Sequence, residues 1–127
     1  MGSSGCVAHR RGTVTSIDLT VQRPDQDTVQ VTVHGALDQL RAYDFDDAMR
    51  RIERSTPGRL LLDLRSLEFL DATGLARIMA VRRRCRHHGR RLVIVRGSQA
   101  VNRLFAMSCA DEQFELVGDP SEALATA

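Results

Sequence analysis

A carboxylate, a hydroxyl and a glycine stand close together in the segment Asp71-Ala72-Thr73-Gly74. An apolar run at residues 60–64 precedes this segment, and a second apolar run begins directly after it. A hydroxyl at the start of a helix is a candidate phosphoacceptor, because unpaired N–H groups and a partial positive charge lie there. Helix capping alone selects the same residue types, with Asp71 or Thr73 as the cap. Gly74 would let another backbone or a phosphate come close.

The densest basic segment, residues 82–91, could bind nucleic acid or an acidic protein surface. Cations are also favoured in the last turns of a helix, and no aromatic side chain interrupts the run to stack on bases. We therefore predict no nucleic-acid partner, and Arg77 and Arg83 are better candidates for a protein-binding surface. Cys85 and the two histidines after it do not share one helix face, so no metal site is predicted.

Composition indicates one globular domain. The chain has 127 residues, 43% of them hydrophobic and 27% charged, with a formal net charge of +2. Three cysteines without CxxC spacing favour a reducing cytoplasm, and no apolar run is long enough for membrane insertion. The motifs of nucleotide, zinc-protease and serine-hydrolase sites are absent from the sequence, so neither an enzyme nor a cofactor is predicted. Residues 1–13 are assigned to a flexible N-terminal tail and residues 14–127 to the domain.

Periodicity predicts an α/β protein. Polar and apolar residues alternate at 15–21 and again at 29–33, which is typical of a hairpin around the turn residues 24–27, with Gly35 closing the second strand. Helical spacing follows at 40–54, then the buried strand 59–64, a connection, and a helix at 75–88 that Gly89 ends. The remaining predicted elements are a strand at 92–95, a helix at 101–108, a strand at 114–117 and a helical turn at 121–125.

Several segments, taken in order, resemble a known family. They are VTVHGALD at 31–38, LDLRSLEFLD at 62–71, Gly74-Leu75, VNRLF at 101–105 and EAL at 122–124. With this order and spacing, residues 14–124 resemble a STAS domain of the anti-sigma factor antagonist family, bacterial regulators of sporulation and stress responses. The resemblance implies a mixed sheet of about five strands, the first paired as a hairpin and the rest largely parallel, flanked by about four helices.

In that family the motif is Asp, a phosphorylated Ser or Thr, a second Ser or Thr, and Gly. An anti-sigma factor, which is an ATPase-like Ser/Thr kinase, phosphorylates the first hydroxyl, and only the unphosphorylated antagonist binds it. Here the acceptor position falls on Ala72, which has no hydroxyl, while Thr73 matches the second position. Three interpretations are open: a protein that binds without a switch, a switch displaced to Thr73, and an alanine introduced deliberately.

The resemblance predicts a protein that binds an anti-sigma factor and so controls transcription, as a monomer or weak dimer. Asp38 is expected to cap the first helix or to border the partner site. The predicted partner-binding residues are Asp38, Asp71, Ala72, Thr73, Gly74, Leu75 and Arg77. The alternative is a STAS subunit of a larger assembly, such as a lipid-transport ATP-binding-cassette complex or a stress-sensing scaffold.

Overall fold

The computed structural model describes residues 6–9, 17–56, 58–108 and 110–125. The strands are β1 (Cys6–His9), β2 (Asp18–Asp25), β3 (Thr28–Leu37), β4 (Arg59–Asp63), β5 (Leu67–Leu70), β6 (Arg91–Val95) and β7 (Glu115–Val117). The helices are α1 (Ala42–Arg54), α2 (Ala72–His87), α3 (Gln99–Met107) and α4 (Pro120–Ala125), with a single 3₁₀ turn at Ala110–Glu112.

One mixed sheet runs through the molecule in the order β1-β2-β3-β4-β6-β7. The β1–β2 and β2–β3 pairs are antiparallel, and the remaining neighbours are parallel. Strand β5 lies off this path and pairs in parallel with the end of β3. The predicted fold class, a mixed sheet with a first hairpin, largely parallel remaining strands and about four helices, is confirmed.

The main core lies between the sheet and helices α1, α2 and α3. The apolar residues of the alternating pattern in β3, Val29, Val31 and Val33, are fully buried. Strand β4 is buried along most of its length because helices cover both sheet faces. The predicted stripe of α1 places Phe45 and Met49 fully inside this core. On the opposite face, a smaller cluster of Leu61, Val93 and Val95 packs against Ala123 of α4.

Two strands were not predicted. Strand β5 stands where the sequence indicated only a connection, because it has four residues and a burial order of in, out, out, in rather than alternation. Strand β1 lies inside the segment assigned to the tail, and residues 6–9 pair with β2. The other residues of that segment, and residues 15 and 16 of the predicted first strand, lie outside the described residues.

The ends of the hairpin also differ from the prediction. The turn consists of Gln26 and Asp27 alone, since Pro24 and Asp25 still belong to β2. Strand β3 continues past Gly35 to Leu37, and Gly35 adopts a φ of 79°, the left-handed region that glycine tolerates. Residues 28–32 of β3 pair with β4 and residues 35–37 pair with β5, and the β3–β5 register shifts between Gly35 and Ala36.

Candidate functional site

The start of α2 is held by the carboxylate of Asp71. Its Oδ1 accepts a hydrogen bond of 2.8 Å from the backbone N–H of Gly74, which confirms Asp71 as the N-cap. Its Oδ2 accepts a second hydrogen bond of 3.1 Å, from the backbone N–H of Gln39. One side chain therefore caps α2 and ties this helix start to the loop between β3 and α1, and α2 begins three residues earlier than predicted.

Gly74 lies where α2 touches the end of β3. A Cβ added at Gly74 would stand 2.3 Å from the carbonyl oxygen of Leu37 and 2.9 Å from Cδ1 of Leu70. The close approach that the glycine allows is therefore to the chain's own backbone. The next residue, Leu75, is only 6% exposed and packs into the main core. Both residues were predicted as partner contacts, but the structure places them beneath the surface, where they position the residues around them.

Ala72 and Thr73 are exposed at this helix start. Within the part of the chain that the structure describes, the Thr73 hydroxyl has no hydrogen-bond partner. Arg77 lies one turn further along α2, half-buried. The structure thus brings Ala72 and Thr73 together at the surface, above the buried pair Gly74 and Leu75.

One prediction was that Asp38 caps the first helix, and the structure shows that it does not. Helix α1 starts after Arg41, whose side chain makes no capping hydrogen bond. Asp38 instead accepts a hydrogen bond of 3.1 Å from the backbone N–H of Arg41 and an ion pair of 2.8 Å from its guanidinium. The correction follows from a turn at residues 38–41 that separates β3 from α1, and Asp38 closes this turn.

Three large exposed apolar side chains, in the segments that the bond between Gln39 and Asp71 joins, were missed by the sequence reasoning. Leu40, Tyr43 and Phe69 are 67%, 78% and 52% exposed. Leu40 follows Gln39, which is bonded to Asp71, and Phe69 precedes Asp71 by two residues. We call these three residues the apolar rim. The position of Tyr43 outside the apolar stripe of α1 was the one signal that could have indicated it.

An ionic network joins α1 to the last turn of α2. The guanidinium of Arg84 donates two hydrogen bonds to the carboxylate of Glu53, at 2.7 and 2.8 Å, and one of 3.1 Å to Asp46. Burial alone would raise the pKa of Asp46, but hydrogen bonds from Arg50 and Arg84 outweigh it and hold this pKa below its ordinary value. These bonds hold the last turn of α2 against α1, about three turns from the start of α2.

Most of the basic run at residues 82–91 has a structural role of the same kind. Arg82 donates to the carbonyl oxygen of Gln113, Arg90 donates to that of Thr56, and Arg91 pairs with the carboxylate of Glu115. The exposed members include Arg83, Arg86 and His87. Pairing of this run with neighbouring elements agrees with the structural interpretation of its charges.

Cys85, the cysteine of the basic run, lies in the core. Burial raises the pKa of its thiol to about 11, so the thiol is uncharged near neutral pH. His88 directs its Nδ1 to the carbonyl oxygen of Arg84, 2.9 Å away. Among the described residues, no three His, Cys, Asp or Glu side chains are grouped so that they could hold a metal ion.

The chain was compared with protein-family models. Residues 19–118 match the family model described as "Mlab, STAS domain". Among residues 6–9, 17–56, 58–108 and 110–125, no helix combines the length and the apolar composition that crossing a bilayer requires.

Solved structures share the fold. An anti-sigma factor antagonist from Mycobacterium paratuberculosis is 24% identical, with a TM-score of 0.73 over 89% of this chain and 95% of that chain. The anti-sigma factor antagonist SpoIIAA in its unphosphorylated form is 14% identical, with a TM-score of 0.64 over 84% of this chain and 94% of that one. The Bacillus cell fate determinant SpoIIAA in its phosphorylated form is 16% identical, with a TM-score of 0.64 over 84% and 96%.

Proposed function

Because the chain belongs to the STAS domain family, we propose that it is a regulatory binding protein of the anti-sigma factor antagonist type. Its partner would be an anti-sigma factor, and sequestering that partner would free a sigma factor and so control transcription. The observation that carries this proposal is the surface at the start of α2. There the exposed residues Ala72 and Thr73 follow Asp71, whose carboxylate is bonded to Gln39, the residue before Leu40 of the apolar rim.

The apolar rim has the chemistry of a protein-binding surface. Exposure of a large apolar side chain to water is unfavourable, and its burial against a partner would stabilise the complex by about 1.5–3 kcal/mol. Tyrosine is enriched among the residues that dominate binding energy, because it combines a large apolar face with a polar tip. Tyr43, at 78% exposure, is therefore the best single anchor for a partner.

Because Ala72 cannot be phosphorylated, a partner contact at residue 72 would not be switched off by a phosphate. A phosphate there would carry a charge of about −1.5 to −2 at the exposed helix start, close to the carboxylate of Asp71. A methyl group cannot receive it, so this position stays compatible with an apolar contact. Residue 72 would thus be a permanent part of the binding surface, while Asp71 and Gly74 hold the helix start in place.

The direct test is isothermal titration calorimetry of this protein with each purified candidate anti-sigma factor from the same genome. We expect micromolar or tighter binding to one of them. Replacing Tyr43 by Ala should weaken that binding about tenfold or more, which corresponds to about 1.4 kcal/mol. Met107→Ala is the matched control, because Met107 is similarly exposed, at 74%, but lies at the far end of α3. Binding of none of the candidates would overturn the proposal.

Substitutions at residue 72 test the permanent contact. Ala72→Glu should abolish binding, since it adds a charge beside Asp71, and Ala72→Ser should bind normally until a kinase phosphorylates it. Normal binding by the Glu variant would show that residue 72 lies outside the interface.

If the phosphorylation switch is displaced by one position, Thr73 is the phosphoacceptor. Adjacent residues at a helix start point about 100° apart, so a kinase would have to approach Thr73 from another direction than residue 72. Incubation with the partner kinase and ATP would then add one phosphate in the mass spectrum, and Thr73→Ala would abolish this mass shift. An unshifted mass in the unaltered protein would exclude that switch.

A STAS subunit of a larger assembly is the second candidate function. Ala72 favours it, because a subunit held permanently in a complex needs no phosphorylation switch. Affinity purification of the tagged protein from its own cells would then recover a transporter ATPase or scaffold subunit in fixed stoichiometry. Recovery of an anti-sigma factor instead would support the first candidate.

A further inference from the structure

A second concave site lies away from the start of α2. A cavity of about 220 Å³ opens where the parallel strands β4, β6 and β7 end, on the side that α3 covers. Buried Leu64, Ile94 and Phe105 form its apolar floor. Ligands in open α/β sheets bind at this edge, beyond the carboxyl ends of the strands. None of the residues that line the cavity belongs to the candidate site at α2.

Arg96 brings an uncompensated positive charge to this cavity. It is exposed, it lines the cavity, and its backbone N–H is bonded to the carbonyl oxygen of Val117. No carboxylate pairs with its guanidinium in the described part of the chain. This sets it apart from Arg65, Arg84 and Arg91, each of which is bonded to an acid. A free cation beside an apolar cavity is complementary to an anion with an apolar body.

Asn102 adds a second polar group. Its Oδ1 accepts a hydrogen bond of 3.1 Å from the backbone N–H of Gly97, and its Nδ2 donates one of 3.1 Å to the carbonyl oxygen of the same residue. An amide nitrogen carries two hydrogens, so one donor of Nδ2 is left over at the cavity wall.

The backbone beneath Arg96 is held in place before any ligand arrives. A Cβ added at Gly97 would lie 2.5 Å from the carbonyl oxygen of Leu64, so the segment after β6 packs directly on the end of β4. Ser98 caps α3 by accepting a hydrogen bond from the backbone N–H of Val101. Rigid positioning of the donors lowers the ordering cost of binding.

We propose that this cavity binds a small carboxylate whose apolar body fills the floor and whose carboxylate pairs with Arg96. A dry protein cavity of about 150 Å³ accepts benzene, so 220 Å³ suits a molecule of about nine non-hydrogen atoms. Benzoate has this size. One guanidinium and one amide hydrogen match the single charge of a carboxylate, whereas a phosphate carries up to two charges and would call for further donors.

The test is a titration of the ¹⁵N-labelled protein with benzoate, monitored by two-dimensional NMR, with benzyl alcohol, which keeps the ring but carries no charge, as the neutral comparison. We expect saturable shifts in the millimolar range at Ile94, Phe105 and Leu116, and binding of benzyl alcohol weaker by about tenfold. Arg96→Gln should weaken benzoate about tenfold and leave benzyl alcohol unchanged. Arg103→Gln is the matched control, because Arg103 is an exposed arginine of α3 that does not line the cavity.

A third variant, Ala106→Leu, tests the cavity itself. Ala106 lines the cavity but is exposed, so the longer side chain should fill part of the volume without disturbing the core, and both probes should bind more weakly. Unchanged spectral dispersion in each variant shows that the protein remains folded. Absence of saturable shifts in the unaltered protein, or equal loss of benzoate in the Arg96 and Arg103 variants, would overturn the proposal.

Discussion

Gly74→Ala is the most direct test of how the start of α2 is built. The new Cβ would stand 2.3 Å from the carbonyl oxygen of Leu37, whereas carbon and oxygen atoms in close protein contacts stay about 3.3–3.6 Å apart. The helix start would have to move by about 1 Å. The obstacle is backbone rather than the flexible end of a side chain, so α2 or β3 itself must yield.

The expected cost follows from two losses and one gain. Overpacking of a filled site costs about 1–3 kcal/mol. Displacement of Gly74 also weakens its hydrogen bond to Asp71, and loss of an N-cap costs about 0.5–2 kcal/mol. Alanine recovers up to about 1 kcal/mol of helix propensity. We therefore expect the free energy of unfolding to fall by about 2–3 kcal/mol and Tm to fall by roughly 10 °C.

The assay is urea denaturation followed by circular dichroism, with Gly118→Ala as the control. A Cβ at Gly118 would meet only the end of the flexible Glu122 side chain, at 3.3 Å, so this variant should stay within about 0.5 kcal/mol of the unaltered protein. If Gly74→Ala is as stable as this control, the contact between α2 and Leu37 does not restrain the helix start, and the site is not preformed by it.

Three further perturbations test the frame behind the site. Arg84→Met should lower the free energy of unfolding by about 3–5 kcal/mol in urea denaturation, because it leaves the carboxylate of Glu53 buried without its partner; Arg83→Met, at an exposed position, is the control. Asp46 has a lowered pKa in the folded state, so its stabilisation is complete above the unfolded-state pKa of about 3.9 and is lost as pH falls through the folded-state value. Unfolding free energies measured from about pH 6 downward should therefore decline less steeply in Asp46→Asn than in the unaltered protein. Cys85 should resist iodoacetamide at about pH 8 in the folded protein and react in urea, as peptide mass mapping would show, because burial raises its pKa to about 11.

Each of these expectations has a contrary outcome. Equal stability of the Arg84 and Arg83 variants would mean that the network between α1 and α2 adds nothing to the fold. An equally steep acid decline in Asp46→Asn would assign the pH dependence to other carboxylates. Fast alkylation of Cys85 without urea would show that the core around it opens readily.

Local patterns in the sequence were sufficient for most elements. Alternation in β3 and the stripe of Phe45 and Met49 in α1 each report which side of an element is buried, and this depends only on residues that are neighbours along the chain. Asp71 could be proposed as an N-cap for the same reason, since its hydrogen bond reaches only to Gly74, three residues away. The resemblance to the STAS family rested on motif order, which is also a property of the sequence alone.

The tertiary structure decided which distant residues meet. Strand β5 is too short to show a pattern, and it exists because the end of β3 offers it an unpaired edge. Gly74 was predicted to let another backbone or a phosphate come close, and packing brings the backbone of Leu37 there. The exposure of Phe69 depends on tertiary packing, and its segment meets the segment before α1 because β5 pairs with the end of β3 and Gln39 is bonded to Asp71.

The positions of the charged residues are visible in the sequence, but their ion-pair partners are decided by the tertiary structure. The sequence shows a run of arginines but not their partners, because an ion pair such as Arg84–Glu53 joins residues 31 positions apart. Arg96, unlike Arg84 and Arg91, has no acid beside it within the described residues, and the cavity that it lines is formed by three strands and a helix. Residue types and short-range periodicity therefore specify the elements and the cap, whereas the surface for a partner and the cavity for a ligand arise only when distant segments pack together.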